Sequence, residues 1–436
     1  MMMKIWFYGY ATKVYSSRKI EDKLYKDVAF IYLTGMQKPD FKAISEFRRK
    51  NLSELMNSFV DILQICHRLG IVNLGDISID SRVMKANASA DKTYDEKELI
   101  KERQEMKKAI EEYLENAERT DLEEDQRYDS DKCGNELPED ISNKKFRIKK
   151  MKQVVEQLKQ AQKRLKASNK KKINLTDNDA QFQKGRVGII LGYRAHIAVD
   201  TKEQVIVAND VTNQPNDTAE LISMVDKVLE NVKILEPERF SGTNQQQEKV
   251  NTIADAGYSS GNNLTELDKE QYKKKVEAYI PDTNYRNKNS SHKDTQFDKS
   301  KFVYNEQEDN ITCPEGKKLH HIMNSRHRGV MYDIYGNTRE CKSCQYFGKC
   351  TKSERGRHIS ISECQPFIDK MRQKLSSEEG KKIYALRKIT AEPVFGNLSQ
   401  NLGFREFLIR GKPKVRGEFS IMCTAHLSFP ISAVYY

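Results

Sequence analysis

The sequence has no apolar run near the roughly 20 residues needed to span a bilayer, which argues against a membrane-spanning helix. Its opening, Met1–Tyr10, is too short and wrongly flanked to read as a signal peptide. Cysteine is sparse: there are eight in 436 residues, and Cys313, Cys341, Cys344 and Cys350 are bunched. So few thiols in so long a chain exclude a disulfide framework and point to metal binding in a reducing cytoplasm. Acidic side chains are outnumbered, 63 Asp plus Glu against 75 Lys plus Arg, for a net charge of +12. That balance favours an anionic partner, nucleic acid first, because a polyanion rewards many dispersed cations at once. The length allows two or three domains and a substantial core.

What is present is organised around Val250–Leu264. Thr252 and Ile253 suit the end of a buried strand, and Asp255 follows with Ala256 and Gly257 behind it. Gly257 is expected to permit a turn with φ > 0, and Ser259, Ser260 or Asn262 to cap a helix starting near Asn263. A carboxylate at the C-terminal end of such a strand faces the crevice where open α/β sheets bind ligands. Asp76–Asp80 alternates as a half-buried strand does, so Asp80 is expected to end a strand in the same way.

Composition divides the chain into six parts. Residues 1–75 read as a helical N-terminal region, with Met56, Phe59, Ile62, Leu63, Cys66 and Leu69 on one face and Gly70 as a stop. In Tyr15–Glu21 and Pro39–Arg49, Arg and Lys stand beside helix starts, where they contact phosphates or form a solvated face. Residues 76–91 hold the first strand. Residues 92–176 are dense in Lys and Glu; Leu99, Met106 and Tyr113 recur every seven residues, with Ile110 and Ala117 on the companion seam. Beyond an acidic break, Asp121–Asp140, Ile148, Val155 and Gln162 alternate with Met151, Leu158 and Leu165, which predicts an antiparallel coiled-coil hairpin. The basic run Lys144, Lys145, Arg147, Lys149, Lys150 and Lys152 is a solvated face or a DNA contact.

Residues 177–267 return to strands, a hairpin of Tyr193–Asp200 and Gln204–Val211, followed by an amphipathic helix over Thr218–Val232 with Asp217 near its start. Residues 268–375 carry the cysteines. The Cys341/Cys344 spacing lets one turn present two thiolates, and Cys313 and Cys350 complete a possible tetrahedral Zn²⁺ site. His320, His321, His327 and His358 could substitute for one of these cysteines, but read more readily as free surface histidines. Residues 376–436 contain a predicted helix, Glu378–Gly396, with Tyr384, Arg387 and Glu392 close to one face. The apolar tail after Ser420–His426 resembles an altered reading frame, and Met1–Ile5 reads as the stump of a truncated N-terminal helix.

The order of elements is that of a ribonuclease-H-like mixed α/β sheet with an expanded first connection. Asp80, Asp255 and Glu392, if brought together, would repel one another unless a hard cation such as Mg²⁺ took their oxygens. Two such ions about 4 Å apart drive in-line displacement at a phosphodiester. Arg387 is suited to bind a phosphate by its planar fork, with Tyr384 alongside.

These residues carry a resemblance to the DDE-type transposases of bacterial insertion sequences, in the branch with a Cys-rich insertion before the last acidic residue. The likeness runs from about Tyr8 to Thr424, through Ile79-Asp80, Lys85–Ser89, Asn174–Asp177, Tyr193–Asp200, Asn216-Asp217-Thr218 and Ala254–Tyr258. It continues through Cys313–Leu319, Cys341–Cys350, Glu392–Gly396, Arg410-Gly411 and Lys414-Val-Arg416. The resemblance implies a ribonuclease-H-like core interrupted by the coiled-coil hairpin and the Cys-rich insertion. Asp80, Asp255 and Glu392 would be its Mg²⁺ or Mn²⁺ ligands. Tyr384 and Arg387, with Arg410, Lys414 and Arg416, would contact DNA. It further implies cutting at element ends, joining of the 3′-hydroxyl to target DNA, a homodimer on DNA, and a cytoplasmic, nucleoid-associated protein. Two departures bear on activity: Ser81-Arg82 stand where relatives have Gly-Thr, and Ser399 stands where they have Lys. With the altered ends, they keep open two alternatives: an inactive remnant that only binds DNA, and a nuclease that hydrolyses without joining.

Overall fold

The structure is a computed structural model describing residues 1–127, 139–168, 170–185, 188–240, 248–282, 296–327 and 329–435. Five helices open the chain: α1 (Met2–Ala11), α2 (Ser17–Lys26), α3 (Val28–Leu33), α4 (Phe41–Lys50) and α5 (Leu52–Arg68). Asp27 and Asp40 cap α3 and α4 by accepting from Ala29 N and Ala43 N. Leu55, Phe59, Leu63 and Cys66 form the buried stripe of α5, and Gly70, at φ +72°, turns the chain out of it.

β1 (Asp76–Lys85) then enters the main sheet, and the chain leaves through the short pair β2 (Thr93–Tyr94) and β3 (Ile173–Asn174). Between these two lie α6 (Glu96–Arg127) and α7 (Glu139–Ala167), which pack together as the predicted hairpin. Its base is sealed by Leu99, Leu158, Ala161, Leu165 and Ile173. Ala161 rather than Gln162 takes the seam; Gln162 instead accepts a hydrogen bond from Arg103 across the hairpin at 2.8 Å. Most of the acidic break, and the side chains of Ala117, Lys144 and Lys145, lie outside the described residues.

β4 (Gln181–Gly185), β5 (Gly188–Asp200) and β6 (Ile206–Thr212) follow, then α8 (Leu221–Leu235), β7 (Val250–Ala254), α9 (Gly261–Leu267), α10 (Glu270–Lys273) and β8 (Val276–Tyr279). The mixed sheet runs β4-β5-β1-β7-β8, with β6 on β5; β5 is antiparallel to β1 and β6, while β7 is parallel to β1 and β8. The β5–β6 hairpin is as expected. Its turn is fixed by Asp200, whose carboxylate accepts from Lys202 N and Glu203 N, each at 3.0 Å.

A second, antiparallel sheet contains β9 (Val303–Asn305), β10 (Asn310–Thr312), β11 (Lys318–His327), β12 (Val330–Gly336) and, after α11 (Thr338–Lys342), β13 (His358–Ser362). Four helices complete the chain: α12 (Gln365–Ser376), α13 (Glu378–Ala385), α14 (Arg387–Gly396) and α15 (Lys412–Tyr435). α15 is buried along Val415–Leu427 against α1, α5 and β6. It approaches α5 so closely that a Cβ on Gly417 would lie 2.3 Å from Leu52. Among the described residues, no helix is long and apolar enough to cross a membrane.

The predicted helix over Glu378–Gly396 is in fact broken at Leu386 into α13 and α14. Pro393 sits inside α14 and has no N–H for the carbonyl of Ile389. That carbonyl is satisfied from outside the helix, by the side-chain amide of Gln204 at 3.0 Å.

Candidate active site

β1 is longer than its alternation predicts. It continues to Lys85 because β5 pairs with it over its whole length, so Asp80 lies mid-strand. On its other edge, however, the parallel pairing with β7 stops at Ile79↔Ala254. Asp80 and Asp255 are therefore the first residues past the end of the same pairing, side by side where a parallel sheet opens its crevice.

Asp255 accepts from Gly257 N at 2.8 Å and so starts a 3₁₀ turn over Ala256–Tyr258. Gly257 is not in the left-handed region; its lack of a side chain serves proximity instead. A Cβ there would stand 2.9 Å from the Asp255 carboxylate and 3.3 Å from that of Asp217. The following helix starts at Gly261, two residues earlier than expected, with Ser260 accepting from Asn263 N as its cap.

Asp217 is the carboxylate whose place in this cluster is not apparent from the sequence, where it reads as a residue near a helix start. Ser81 donates to it at 2.5 Å and Arg194 pairs with it at 3.1 Å. Arg387, at the start of α14, lies 3.4 Å from Asp255 and 3.9 Å from Asp80. Two arginines thus balance three aspartates. Burial pushes the Asp80 carboxyl up to about 6; Arg387 and the Ser81 N–H oppose this, and Asp255 and Asp217 reinforce it. Burial likewise raises Asp217, against Ser81 and Arg194.

α14 turns its Arg387, Thr390, Ala391 and Val394 inward. Glu392 lies about 140° around the helix from Arg387, and is exposed. Tyr384, on α13, packs instead with Ile253, Tyr279 and Leu375. The three signature residues therefore do not share one face, because the break at Leu386 and the inward stripe of α14 separate them. Among the described residues, no three His, Cys, Asp or Glu side chains are grouped to hold a metal ion.

The two departures from the family pattern touch each other. Arg82, two residues from Asp80 on the same strand face, donates to Ser399 Oγ at 2.9 Å and to the Phe395 carbonyl at 3.1 Å. Of the other basic residues expected at DNA, Lys414 is exposed. Arg410 donates to the Asn87 carbonyl at 2.9 Å, and Arg416 holds Asp210 through two bonds at 2.5 and 2.6 Å. The four cysteines Cys313, Cys341, Cys344 and Cys350 line one cavity of about 30 Å³ between β10 and α11. Burial raises the Cys350 thiol and its neighbours Cys341, Cys313 and Cys344 reinforce this; Arg357 opposes it.

Beneath the carboxylates, Tyr258 is fully buried with its hydroxyl 2.8 Å from His196 Nδ1. The Nε2 of His196 has no hydrogen-bond partner among the described residues. Burial lowers this imidazole to about 3; Arg194 and Lys227 reinforce the shift and Asp210 opposes it. The unfolded value is about 6.5, so the unfolded chain binds the extra proton between pH 6.5 and 3. Stability is therefore full above pH 6.5 and is lost as pH falls through that window, by about 2 kcal/mol at pH 5. In urea titrations, His196→Gln should lose correspondingly less between pH 7 and pH 5. Equal losses in the two proteins would contradict the assignment.

Two comparisons bear on the site. The family described as Transposase DDE domain matches residues 312–426, from the Cys-lined sheet through α14 into α15. The family described as Transposase domain (DUF772) matches residues 1–50, the first four helices. No curated protein matches the chain, and no solved structure does. These two matches, one at each end of the chain, indicate a DDE-type transposase of the insertion-sequence type.

Proposed function

We propose that the protein cuts DNA at the ends of its element and joins the 3′-hydroxyl to a target strand, using Asp80, Asp255 and Glu392. The observation that carries this reading is the placing of Asp80 beside Asp255 at the end of the β1/β7 pairing, with Arg387 as their cation. The order β6-β5-β1-β7-β8, three antiparallel strands followed by two parallel ones, supports a ribonuclease-H-like core. In that core the α6/α7 hairpin and the Cys-lined sheet are insertions.

The donors fit a hard divalent cation. The buried Asp80 carboxylate and the half-buried Asp255 repel each other, and Asp80 is already driven toward protonation, so an added 2+ charge is favoured. Mg²⁺ or Mn²⁺ there supplies polarisation of the phosphodiester and activation of the attacking hydroxyl. Arg387 offers a planar fork for a phosphate oxygen beside the carboxylates. Ser81 and Arg194 hold Asp217, and with it the Gly257 turn, at fixed distance. Lys414 and Arg410 extend the contact along the duplex, and synapsis of two ends calls for a homodimer working on nucleoid DNA. Incubation with a duplex carrying the element's ends should give metal-dependent nicks, and a second duplex should then give joined products. Nicks without joining would reduce the protein to a nuclease.

A second reading, DNA binding without catalysis, is favoured by one observation: Glu392 is exposed and no three acids are grouped for an ion among the described residues. Duplex binding with no nicking in either Mg²⁺ or Mn²⁺ would establish it.

The four thiols at Cys313, Cys341, Cys344 and Cys350 line one cavity and suit Zn²⁺ as soft donors; among the described residues no three of them are grouped at ligand distance, so they would close in on the ion when it binds. Gly356 keeps that space tight, since a Cβ there would lie 2.5 Å from Cys341. Purified protein should carry about one zinc per chain, and Cys341→Ser with Cys344→Ser should remove it. Unchanged zinc by metal analysis would refute the site.

A further inference from the structure

A second cavity, of about 290 Å³, opens between β1 and the turn that follows α14, and its polar lining is Arg82, Ser399, Gln400 and Arg405. Two guanidinium groups converge on one residue there. Arg82 donates to the Ser399 hydroxyl, and Arg405 donates from Nε to the Ser399 carbonyl at 3.3 Å and from Nη2 to Gln400 at 3.3 Å. Ser399 itself is buried, and its hydroxyl also donates to the Phe395 carbonyl at 2.8 Å. The wall behind is apolar, formed by Met84, Leu398 and Phe404. Planar cations set in a concave, partly apolar wall strengthen any anion they meet, and a guanidinium fork matches phosphate oxygens. The volume is roughly ten times the ~30 Å³ that one water occupies in the liquid, enough for a phosphodiester unit.

We propose that this cavity is a phosphate-binding pocket that takes one backbone phosphate of the DNA strand held at Asp80 and Asp255. The placement rests on the reading of the site above. Arg82 is two residues along β1 from Asp80 and on the same face, a separation of about 7 Å. At about 3.4 Å of rise per nucleotide, a strand whose reacting phosphate sits at the aspartates presents another phosphate within reach of Arg82. Arg82 and Arg405 then grip the same phosphate from two sides, and Ser399 keeps their forks apart.

The test uses the full chain in two arms. In the first, inorganic phosphate is compared with chloride at equal ionic strength in thermal unfolding. The parent midpoint should rise by on the order of 2 °C, and the double variant Arg82→Gln/Arg405→Gln should not respond. In the second, the salt dependence of duplex binding is measured. The slope of log K against log salt should fall by about 0.9 in either single variant and by no more in the double, because both arginines serve one phosphate. Arg82→Lys, which keeps the charge, should retain most of the slope.

No phosphate response in the parent, or a full response in the double variant, overturns the pocket. A phosphate response lost in the double variant but with an unchanged slope overturns the DNA assignment. If the parent shows the phosphate response but no metal-dependent nicking, the pocket stands and the catalytic reading fails. Both arginines are exposed at the surface, so folding of the variants is checked by the parent-like midpoint in chloride.

Discussion

Asp255→Asn is expected to slow metal-dependent strand cleavage by at least about 10³-fold, roughly 4 kcal/mol of transition-state stabilisation, while leaving duplex affinity intact. The substitution keeps the local shape, since an amide oxygen still accepts from Gly257 N and maintains the turn. What it removes is the negative charge that, with Asp80, would face the divalent cation. Arg387 retains Asp80 as a partner at 3.9 Å, so the helix α14 stays anchored. Asp217→Asn provides the contrast. Its charge is already balanced by Arg194 and its oxygen bound by Ser81, so it supports the site from behind. The expected loss there is about 10- to 100-fold, the size found for groups that orient ligands rather than bind the reactant. Initial nicking rates on a labelled duplex at fixed Mg²⁺, with affinity measured separately, decide the matter. Equal losses at 255 and 217 would move Asp217 into the reacting shell, and no loss at 255 would end the catalytic assignment.

How much of this site is legible in the sequence depends on the range of the interaction. The strand ending in Thr252-Ile-Ala-Asp255 is local: an apolar run, a carboxylate, then small residues and a serine cap, and it forms as expected. The α6/α7 hairpin is legible for the same reason, since heptads encode their own partner face. The extent of β1 is not, because Arg82–Lys85 become strand only through pairing with β5, more than 100 residues away. Conformational reasoning at Gly257 points to a positive φ that the turn does not use; the glycine is needed because a Cβ there would stand 2.9 Å from the Asp255 carboxylate and 3.3 Å from that of Asp217, which long-range folding brings in. The facing of Glu392 is the sharpest case. Helical spacing predicts a shared stripe, but the break at Leu386 and the inward run Arg387, Thr390, Ala391 and Val394 bury the arginine and expose the glutamate. Asp217 escapes notice because its neighbours in sequence mark only a helix start, while its partners Ser81 and Arg194 come from two strands.

Glu418→Ala is expected to destabilise the protein by about 3–5 kcal/mol, because it breaks a buried charge network without removing its other half. Glu418 is fully buried on α15. It accepts from Tyr10 Oη at 3.1 Å, from Leu408 N at 3.0 Å and from Ile409 N at 3.3 Å, while Arg48 donates to the same Tyr10 hydroxyl at 3.3 Å and stacks over Trp6. An alanine would orphan two backbone donors and the tyrosine hydroxyl, and remove the buried carboxylate whose charge Arg48 offsets. Glutamine keeps an acceptor and should cost no more than about 1–2 kcal/mol. The pH dependence separates charge from shape. Burial raises the Glu418 carboxyl, and Arg48 and its hydrogen bonds oppose that. A carboxyl raised in the folded state binds its proton more readily there than in the unfolded chain, so its contribution is greatest below about 4.3 and declines as pH rises toward the folded value. The gap between parent and Glu418→Gln in urea midpoints should therefore narrow from pH 4 to pH 8; a widening gap would mean the carboxylate is stabilised, not strained, by its surroundings. The network matters beyond its energy. Tyr10, Arg48 and Trp6 belong to the helices matched by one transposase family, and Glu418 to the segment matched by the other. Through α15, which also packs on β6 of the sheet that carries Asp80, the N-terminal helices are tied to that sheet. Loss of Glu418 should thus loosen the N-terminal helices first, with hydrogen exchange rising in α1 and α4 before β1 and β7; the reverse order would show that the sheet, not this carboxylate, holds the two regions together.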